Sequence, residues 1–308
     1  MASNLQGVES DAVGLDRWVW KAMATPGLAL LTALFIVPVY AILSVAMGGV
    51  DPIFLRPVPE WNPLRWDPSS FGSILGDLFG GQLGIIALRT LAYVVVAAVI
   101  CVLVGYPVAY FVARRAGKRK GLWLLALLAP FWINYLMRML AWVNLLGPDG
   151  QVNRVLSSVG FAPPDWLAGR HETVILGLVY GYLPFFILPL YAALDRLDQR
   201  VIEAARDLGA GAWETFRRVT LPLSKQGILA GLVLIVLPMF GDYYTPNLLS
   251  GSPRTRIIGN EIDTFINSTS SQGGRGAALT FVLMVFVAVL MMYYLVNIAR
   301  VTREARDE

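Results

Sequence analysis

Residues 84–120 read GIIALRTLAYVVVAAVICVLVGYPVAYFVARRAGKRK, a long apolar run that ends in a cluster of basic residues. A helix that rises about 1.5 Å per residue needs roughly 20 residues to cross the hydrocarbon layer of a bilayer, which is about 30 Å thick. The apolar part of this run is long enough to do so. The composition agrees, because 56% of the 308 residues are hydrophobic and only 15% are charged. A water-soluble surface cannot accommodate that balance.

Outward from this run, five more apolar segments of similar length predict an all-α integral membrane protein with six transmembrane helices. The predicted spans lie at about 27–47, 84–112, 122–146, 173–194, 227–248 and 276–299. They leave an N-terminal segment at 1–26 and a C-terminal tail at 300–308 outside a six-span domain at 27–299. The N-terminal segment contains Asp11 and Asp16 and lacks the basic-then-apolar pattern of a cleaved signal peptide, so the first span is expected to be retained.

The orientation follows from the short basic loop between spans two and three, which contains Arg114, Arg115, Lys118, Arg119 and Lys120 and no acidic residue. Short loops rich in Lys and Arg stay in the cytoplasm. An even number of spans then places both termini and the loop at 195–226 in the cytoplasm as well. The segments at 48–83, 147–172 and 249–275 face outward and are expected to form irregular loops. Their tryptophans are candidate interface anchors, namely Trp61, Trp66 and Trp166.

The loop at 195–226, DRLDQRVIEAARDLGAGAWETFRRVTLPLSKQ, is too regular to be a simple connection and predicts two short helices. Asp198 is a candidate cap for the first helix, Gly209 and Gly211 allow a turn, and Pro222 is expected to end the second helix. The first helix carries an apolar stripe of Leu197, Val201, Ala204 and Leu208, and the second an apolar side of Trp213, Phe216 and Val219. By periodicity alone, the product is either a helical knob outside the membrane or an amphipathic hairpin on the inner leaflet.

This loop resembles the EAA loop of the permease subunits of bacterial ABC importers. Glu203-Ala204-Ala205 is followed after three residues by Gly209 and after nine more by Val219-Thr220-Leu221-Pro222, with Val219 where the family usually has isoleucine. The resemblance implies the type I ABC importer permease arrangement, with a cytoplasmic EAA coupling helix that docks on an ATPase. It assigns the coupling to Glu203, Ala204, Ala205, Asp207, Gly209, Leu221 and Pro222.

Two further stretches are similar to the spermidine and putrescine branch of these permeases. They are PFWINYLMRMLAWVNLLGPDGQVN at 130–153 and FGDYYTPNLLSG at 240–251. The resemblance implies a multi-pass protein of the bacterial plasma (inner) membrane. It also implies two copies of a cytoplasmic ABC ATPase, a second homologous permease subunit and an extracytoplasmic substrate-binding protein as partners. A heterodimer of permeases is expected, and a homodimer stays open. Related branches carry iron, sulfate, aminophosphonate or opine-like solutes, so the solute stays open too.

No phosphate-binding loop of the form GxxxxGK[ST] occurs in the chain. ATP and Mg are therefore expected to be used by the partner ATPase, and no cofactor is expected in this chain. No catalytic or metal site is predicted either, because the paired carboxylates or dyads of an intramembrane enzyme do not occur at membrane depth. The single histidine, His171, is expected to be solvated or to cap a helix. The basic residues punctuate apolar segments, which indicates contact with lipid headgroups and argues against nucleic acid.

The substrate pathway is expected to contain polar residues at membrane depth, because ionisable groups there are costly and usually face a cavity. The candidates are Asp242, Tyr243, Tyr244, Asn134, Arg138 and Asn144. Asp242, between Pro238 and Pro246, is the only carboxylate predicted within an apolar span and suits a cationic amine. Alternatively, Asp242 pairs with Arg138 to neutralise both charges, the tyrosines are interface aromatics, and Asn134 links helices. An ion-coupled secondary transporter is the rival function, but it would leave the EAA-like loop without a role.

Overall fold

The computed structural model of the chain describes residues 17–54, 56–267 and 272–307 and is built from helices. In chain order these are α1 (Arg17–Ala46), α2 (Ser69–Gly80), α3 (Gln82–Arg114), α4 (Lys120–Leu128), α5 (Tyr135–Leu146), α6 (Gln151–Ser158), α7 (His171–Arg196), α8 (Gln199–Asp207), α9 (Ala212–Thr215), α10 (Leu221–Leu223), α11 (Lys225–Phe240), α12 (Tyr244–Leu249), α13 (Ile258–Asn267) and α14 (Gly273–Asp307). Short 3₁₀ turns lie at Pro63–Arg65, Gly117–Arg119, Ala129–Trp132 and Pro253–Thr255, and a π-helical turn lies at Phe216–Thr220. Two short antiparallel strands, β1 (Gly49–Val50) and β2 (Pro57–Val58), pair with each other.

Within these described ranges, four helical segments are long and apolar enough to cross a membrane singly. They are Ala22–Ala46, Gln82–Arg114, His171–Arg196 and Gly273–Val296. Two bent pairs of helices raise the number to six if each pair is one span. The pairs are Gly117–Trp132 with Tyr135–Ser158, bent by 88°, and Ala212–Leu223 with Lys225–Phe240, bent by 60°. The all-α membrane fold predicted from composition is therefore present, with several candidate spans.

The segment predicted as the third span, at 122–146, is not one straight helix. Pro130 lies in the 3₁₀ turn after α4, and Ile133 has an extended backbone. Asn134 then caps α5, since its side-chain oxygen accepts a hydrogen bond from the backbone N–H of Leu136 at 2.9 Å. A proline that removes one backbone donor, followed by a capping asparagine, explains why so apolar a run breaks.

The outer segments contain helices, so the expectation of wholly irregular loops was wrong. α2, α6 and α13 all lie within them. In α2, Ile74 belongs to a buried cluster that includes Leu83 of α3, and Asp77 forms an ion pair with Arg275 of α14. An apolar residue and a charged residue on one short helix thus fix it against two long helices.

The three outer tryptophans differ in their surroundings. Trp61 is exposed. Trp66 donates its ring N–H to the carbonyl oxygen of Glu60 at 2.8 Å, and Trp166 donates to Asn153 Oδ1 at 2.9 Å. Their role as interface anchors stays a prediction.

The basic loop between α3 and α4 lies against the start of the 195–226 loop. Arg114 donates to the carbonyl oxygen of Leu197 at 2.9 Å and to Gln199 Oε1 at 3.3 Å. Lys120 forms an ion pair with Asp195. The two loops are therefore at the same end of the helix bundle.

The core of the bundle is the place where α3, α7 and α11 meet around Phe186. This ring is fully buried between two glycines. A Cβ atom added to Gly105 of α3 would lie 2.6 Å from Phe186 Cδ1, and one added to Gly231 of α11 would lie 2.8 Å from Phe186 Cδ2. Glycine at both positions lets the three helices approach closely.

We expect Gly231→Ala to lower the melting temperature of the detergent-solubilised chain, because overpacking a tight core costs about 1–3 kcal/mol. Gly76→Ala in α2 is the matched control, since nothing lies within 4 Å of a Cβ added there. Cys101 is the single cysteine and is fully buried, so its reaction with a thiol-reactive dye reports melting. Equal melting temperatures for the two variants would contradict the contact with Phe186.

Candidate functional sites

Asp242 lies at the break between α11 and α12 and is 7% exposed. Its Oδ2 accepts hydrogen bonds from the hydroxyls of Thr245 at 2.6 Å, Tyr135 at 2.9 Å and Tyr182 at 3.3 Å. Its Oδ1 accepts from the backbone N–H of Thr245 at 3.1 Å. The two bonds from the tyrosines join the break to α5 and α7, and the two bonds from Thr245 are local to the break.

The local sequence explains the break. Gly241 follows the last residue of α11, and its N–H donates to the carbonyl oxygen of Pro238 at 3.1 Å. Asp242 then bonds the N–H of Thr245, three residues on, in the manner of a helix N-cap. Pro246 falls in the first turn of α12, where a missing N–H is tolerated because those donors have no partner within the helix.

α13 packs against the other side of the break. Asn260 Nδ2 donates to the carbonyl oxygen of Tyr243 and to Asn247 Oδ1, both at 2.9 Å. A Cβ on Gly259 would lie 2.8 Å from the carbonyl oxygen of Gly241, so this close approach requires glycine. Polar groups that the break releases thus find partners inside the protein.

The residues proposed from the sequence for the pathway are only partly brought together. Tyr243 and Tyr244 flank the break and stack with their ring centroids 4.1 Å apart. Asn134 is the cap of α5, and Asn144 donates to a backbone carbonyl of its own helix. In the described part of the chain, neither asparagine is a hydrogen-bond partner of Asp242.

Arg138 does not form an ion pair with Asp242, so the mutual neutralisation considered from the sequence is not realised. Arg138 is 8% exposed, and its guanidinium carbon lies 4.0 Å from the ring centroid of Phe131. Its Nε and Nη1 atoms are buried and have no hydrogen-bond partner among the residues described. A buried cation is thus held against an aromatic ring instead of a carboxylate.

Sequence reasoning missed Tyr135, Tyr182 and Thr245 as partners of Asp242. A signal for Thr245 existed, because it stands three residues after an acidic residue at the start of a helix. Tyr135 and Tyr182 lie 107 and 60 residues from Asp242 along the chain. Only the packing of the helices identifies them.

His171, expected to be solvated or to cap a helix, is exposed at the first position of α7 and is hydrogen-bonded to the hydroxyl of Tyr93. Across residues 17–54, 56–267 and 272–307, no group of three or more His, Cys, Asp or Glu side chains is placed to hold a metal ion.

The 195–226 loop begins with α8, which Asp198 caps as predicted. Asp198 Oδ1 accepts from the backbone N–H of Arg200 at 2.9 Å. Gly209 follows the helix with a φ of +87°, a left-handed conformation that favours glycine. The predicted turn at this glycine is confirmed.

The apolar stripe of α8 is largely exposed. Val201 and Ala204 are exposed, and Leu208 is 89% exposed. The residue that packs inward is Ile202, which is buried and was not identified from the sequence. Of the coupling residues implied by the resemblance, Ala205 is half-buried, and the exposed ones are Glu203, Ala204, Asp207, Gly209, Leu221 and Pro222.

The second helical stretch of the loop continues past Pro222, so the expected end at that proline was wrong. It runs over Ala212–Leu223 and meets α11 at Ser224 with a bend of 60°. The π-helical turn explains the continuation, because the N–H of Leu221 bonds to the carbonyl oxygen of Phe216, five residues back. In a regular α-helix, a proline at this position would lack a backbone hydrogen bond and clash with the carbonyl four residues back. The wider π-helical turn changes which groups are paired, so Pro222 fits in the helix.

Phe216 and Ser224 anchor this stretch to α3. The hydroxyls of Tyr106 and Ser224 are 2.9 Å apart and hydrogen-bonded. The Phe216 ring packs edge-on against Tyr106 and Tyr110, with centroid distances of 5.5 Å and 6.4 Å. On its other side Phe216 stacks with Trp213, which is 72% exposed. The loop, called the knob below, is thus a helical element that is tied to the bundle and presents apolar side chains outward. Such a surface fits a partner protein or the inner leaflet.

This bundle, with a buried carboxylate at a helix break and a helical knob at one end, belongs to the family described as binding-protein-dependent transport system inner membrane component. The family model matches residues 105–303. The chain is accordingly a permease subunit of an ABC importer.

In particular, the chain is similar to the spermidine/putrescine transport system permease protein PotB of Haemophilus influenzae. The two are 40% identical over 201 residues, which cover 65% of this chain and 69% of that protein. PotB of Escherichia coli is 35% identical over 210 residues, which cover 68% of this chain and 76% of that protein.

The fold resembles a chain in the crystal structure of a bacterial alginate ABC transporter in complex with an alginate pentasaccharide-bound periplasmic protein. The TM-score is 0.68 at 19% identity, covering 94% of this chain and 95% of that one.

We expect Asp242→Asn and Tyr135→Phe to be non-additive in the free energy of unfolding, because both weaken the same hydrogen bond. Hydrogen bonds to charged groups contribute about 1.5–3 kcal/mol, and residues in contact couple by about 0.5–3 kcal/mol. The measurement is detergent-induced unfolding of both single variants and the double variant. Asp242→Asn with Tyr93→Phe is the control and should be additive, since Tyr93 bonds to His171 instead. Additivity in the Tyr135 cycle would show that the network is not coupled.

Proposed function

We propose that this permease subunit forms half of the translocation pathway of an importer for a polyamine such as spermidine or putrescine. The observation that carries the proposal is Asp242, the only buried carboxylate among the residues described. Its partners are neutral hydroxyl and N–H donors, so no ion pair cancels its charge, and a cationic amine in the pathway is attracted to it. The similarity to proteins named for spermidine and putrescine transport favours an amine over other solutes.

The proposed topology has six spans in the type I importer arrangement, with each bent pair counted as one span. The membrane domain at 27–299 lies between cytoplasmic segments at 1–26 and 300–308. The contacts of Arg114 and Lys120 with the 195–226 loop support a common side for both loops. That side is the cytoplasm, where basic loops remain.

The proposed energy source is two copies of a cytoplasmic ABC ATPase that use ATP and Mg, because this chain has no phosphate-binding loop. The knob is the docking element. Leu208 and Trp213, which are exposed in this chain, are buried on association, and Glu203 and Asp207 add charged contacts. The knob moves with the bundle because Phe216 packs against α3, so closure of the ATPase pair reorients the pathway.

A second homologous permease supplies the other half of the pathway, and an extracytoplasmic binding protein delivers the solute to the outer segments. The exposed apolar side chains of α1 and α14 provide surface for lipid and for that second subunit. The charge of Asp242 then forms only part of the amine site, and the partner permease supplies the rest.

We expect Leu208→Asp to reduce the amount of ATPase that co-purifies with this chain by at least about tenfold, because burial of a carboxylate at an apolar contact costs more than about 1.4 kcal/mol. The chain is co-expressed with candidate ATPase and second-permease subunits and purified by a tag on itself. Leu64→Asp is the matched control, since Leu64 is 93% exposed but lies in an outer segment. Recovery of the ATPase with Leu208→Asp at the wild-type level would contradict docking through this surface.

We expect cells that carry the complete importer to take up radiolabelled spermidine, and Asp242→Asn to lower that uptake by at least about tenfold, because an unneutralised charge near the substrate cation is lost. Asp149→Asn, at an exposed position in an outer segment, is the control and should transport normally. Uptake of a different solute, with spermidine excluded, would reject the polyamine and leave the importer class intact.

A further inference from the structure

Arg138 lies in an aromatic cage within the helix bundle. Its guanidinium carbon is 4.0 Å from the ring centroid of Phe131, 5.3 Å from that of Tyr135 and 5.8 Å from that of Tyr180. Trp142, one turn beyond Arg138 on α5, packs edge-on against Tyr180 with a centroid distance of 5.2 Å. All three cage rings are within the distance of about 6 Å at which a ring face attracts a cation.

The cage shares Tyr135 with Asp242. The ring of Tyr135 lies beside the guanidinium, and its hydroxyl donates to Asp242 Oδ2 at 2.9 Å. Aromatic faces bind alkylammonium ions in proteins, and a nearby carboxylate adds attraction for the same charge. The site therefore has the chemistry of an ammonium pocket, yet the guanidinium of the chain itself fills it.

The guanidinium is poorly satisfied in this place. Its Nε and Nη1 atoms are buried without a hydrogen-bond partner, and none of the ion pairs within residues 17–54, 56–267 and 272–307 includes Arg138. A buried charge without hydrogen bonds is normally unstable. The ring faces compensate for part of this loss, so a cation that brings its own favourable contacts can replace the guanidinium.

We propose that Phe131, Tyr135 and Tyr180 form a subsite for one ammonium group of the transported amine, which Arg138 occupies as a tethered competitor until the amine displaces it. This inference rests on the proposed function and adds a specificity-determining residue to it. The two cations exclude each other because like charges at cage distance repel strongly in a medium of low dielectric constant.

The direct test is spermidine binding to the assembled importer, purified with its ATPase and second permease but without the binding protein. We expect weak binding by the wild type and binding at least about tenfold tighter by Arg138→Met, since a cation held by desolvated ring faces gains that much. Methionine keeps the packing against the rings and removes the charge. Arg138→Lys is the matched control, because it retains a cation and should bind like the wild type.

A third variant identifies the cage itself. Arg138→Met combined with Tyr180→Leu is expected to lose the gain in affinity, because one of the ring faces is removed. If Arg138→Met binds no more tightly than the wild type, or if the combined variant keeps the gain, the proposal is wrong.

A second measurement uses the wild type and does not depend on the folding of a variant. Phenylglyoxal labels accessible arginines, and peptide mass analysis reads the label on Arg138 alone. We expect this label to increase with spermidine concentration as the guanidinium leaves the cage, and an unchanged label would overturn the displacement.

Absence of polyamine uptake by the complete importer is a separate outcome that rejects the proposed function. Uptake without either effect at Arg138 rejects only this inference.

Discussion

Inside a hydrocarbon layer, each backbone N–H and C=O group must find a partner within the protein, and at both helix breaks of this permease the protein's own side chains supply such partners. Two apolar runs break, one before α5 and one after α11. Asn134 caps the first break. Asp242 caps the second from one side, and Asn260 binds the carbonyl oxygen of Tyr243 from the other. At the second break these groups are buried and give the bundle a polar interior, whereas Asn134 at the first break is exposed.

The two candidate sites, the knob and the Asp242 network, are connected through α11. This helix has 16 residues, begins at the bend beside Ser224 and ends one residue before the Gly241–Asp242 break. Between its ends, Gly231 lies against the Phe186 ring, and a close-packed contact of that kind leaves little freedom for α11 to slide along α7 on its own. In the proposed docking mechanism, a displacement of the knob is passed to Asp242 by this rigid element, which both sites share. This is a physical route for coupling that needs no flexible intermediate.

The sequence was sufficient for those features that depend on local chemistry. Apolar length predicted the membrane fold, the Asp198 cap and the Gly209 turn followed from cap and turn preferences, and both were confirmed. The position of a proline was less informative about where a helix ends. Pro222 did not end its helix because the π-helical turn before it accommodates the ring, and this turn has no sequence signature.

The features that could not be predicted depend on contacts between distant segments. Periodicity identified the apolar stripe on α8 but not Ile202 as the buried residue. In the structure Ile202 packs inward and the residues of the stripe are largely exposed. The partners of Asp242 on α5 and α7 are set by helix packing alone. Helix formation in the outer segments likewise depends on tertiary contacts, as in the ion pair of Asp77 with Arg275.

Tyr135 contacts both of the buried charged side chains in the described part of the chain, Arg138 and Asp242. An ion pair between Arg138 and Asp242 would neutralise both charges. The face of the Tyr135 ring contacts the guanidinium of Arg138, and its hydroxyl donates a hydrogen bond to the carboxylate of Asp242. Hydrogen-bond donation to an anion increases the electron density of a phenol ring, which strengthens the attraction of its face for a cation. Asp242 therefore acts on the cage through Tyr135 without contacting its occupant.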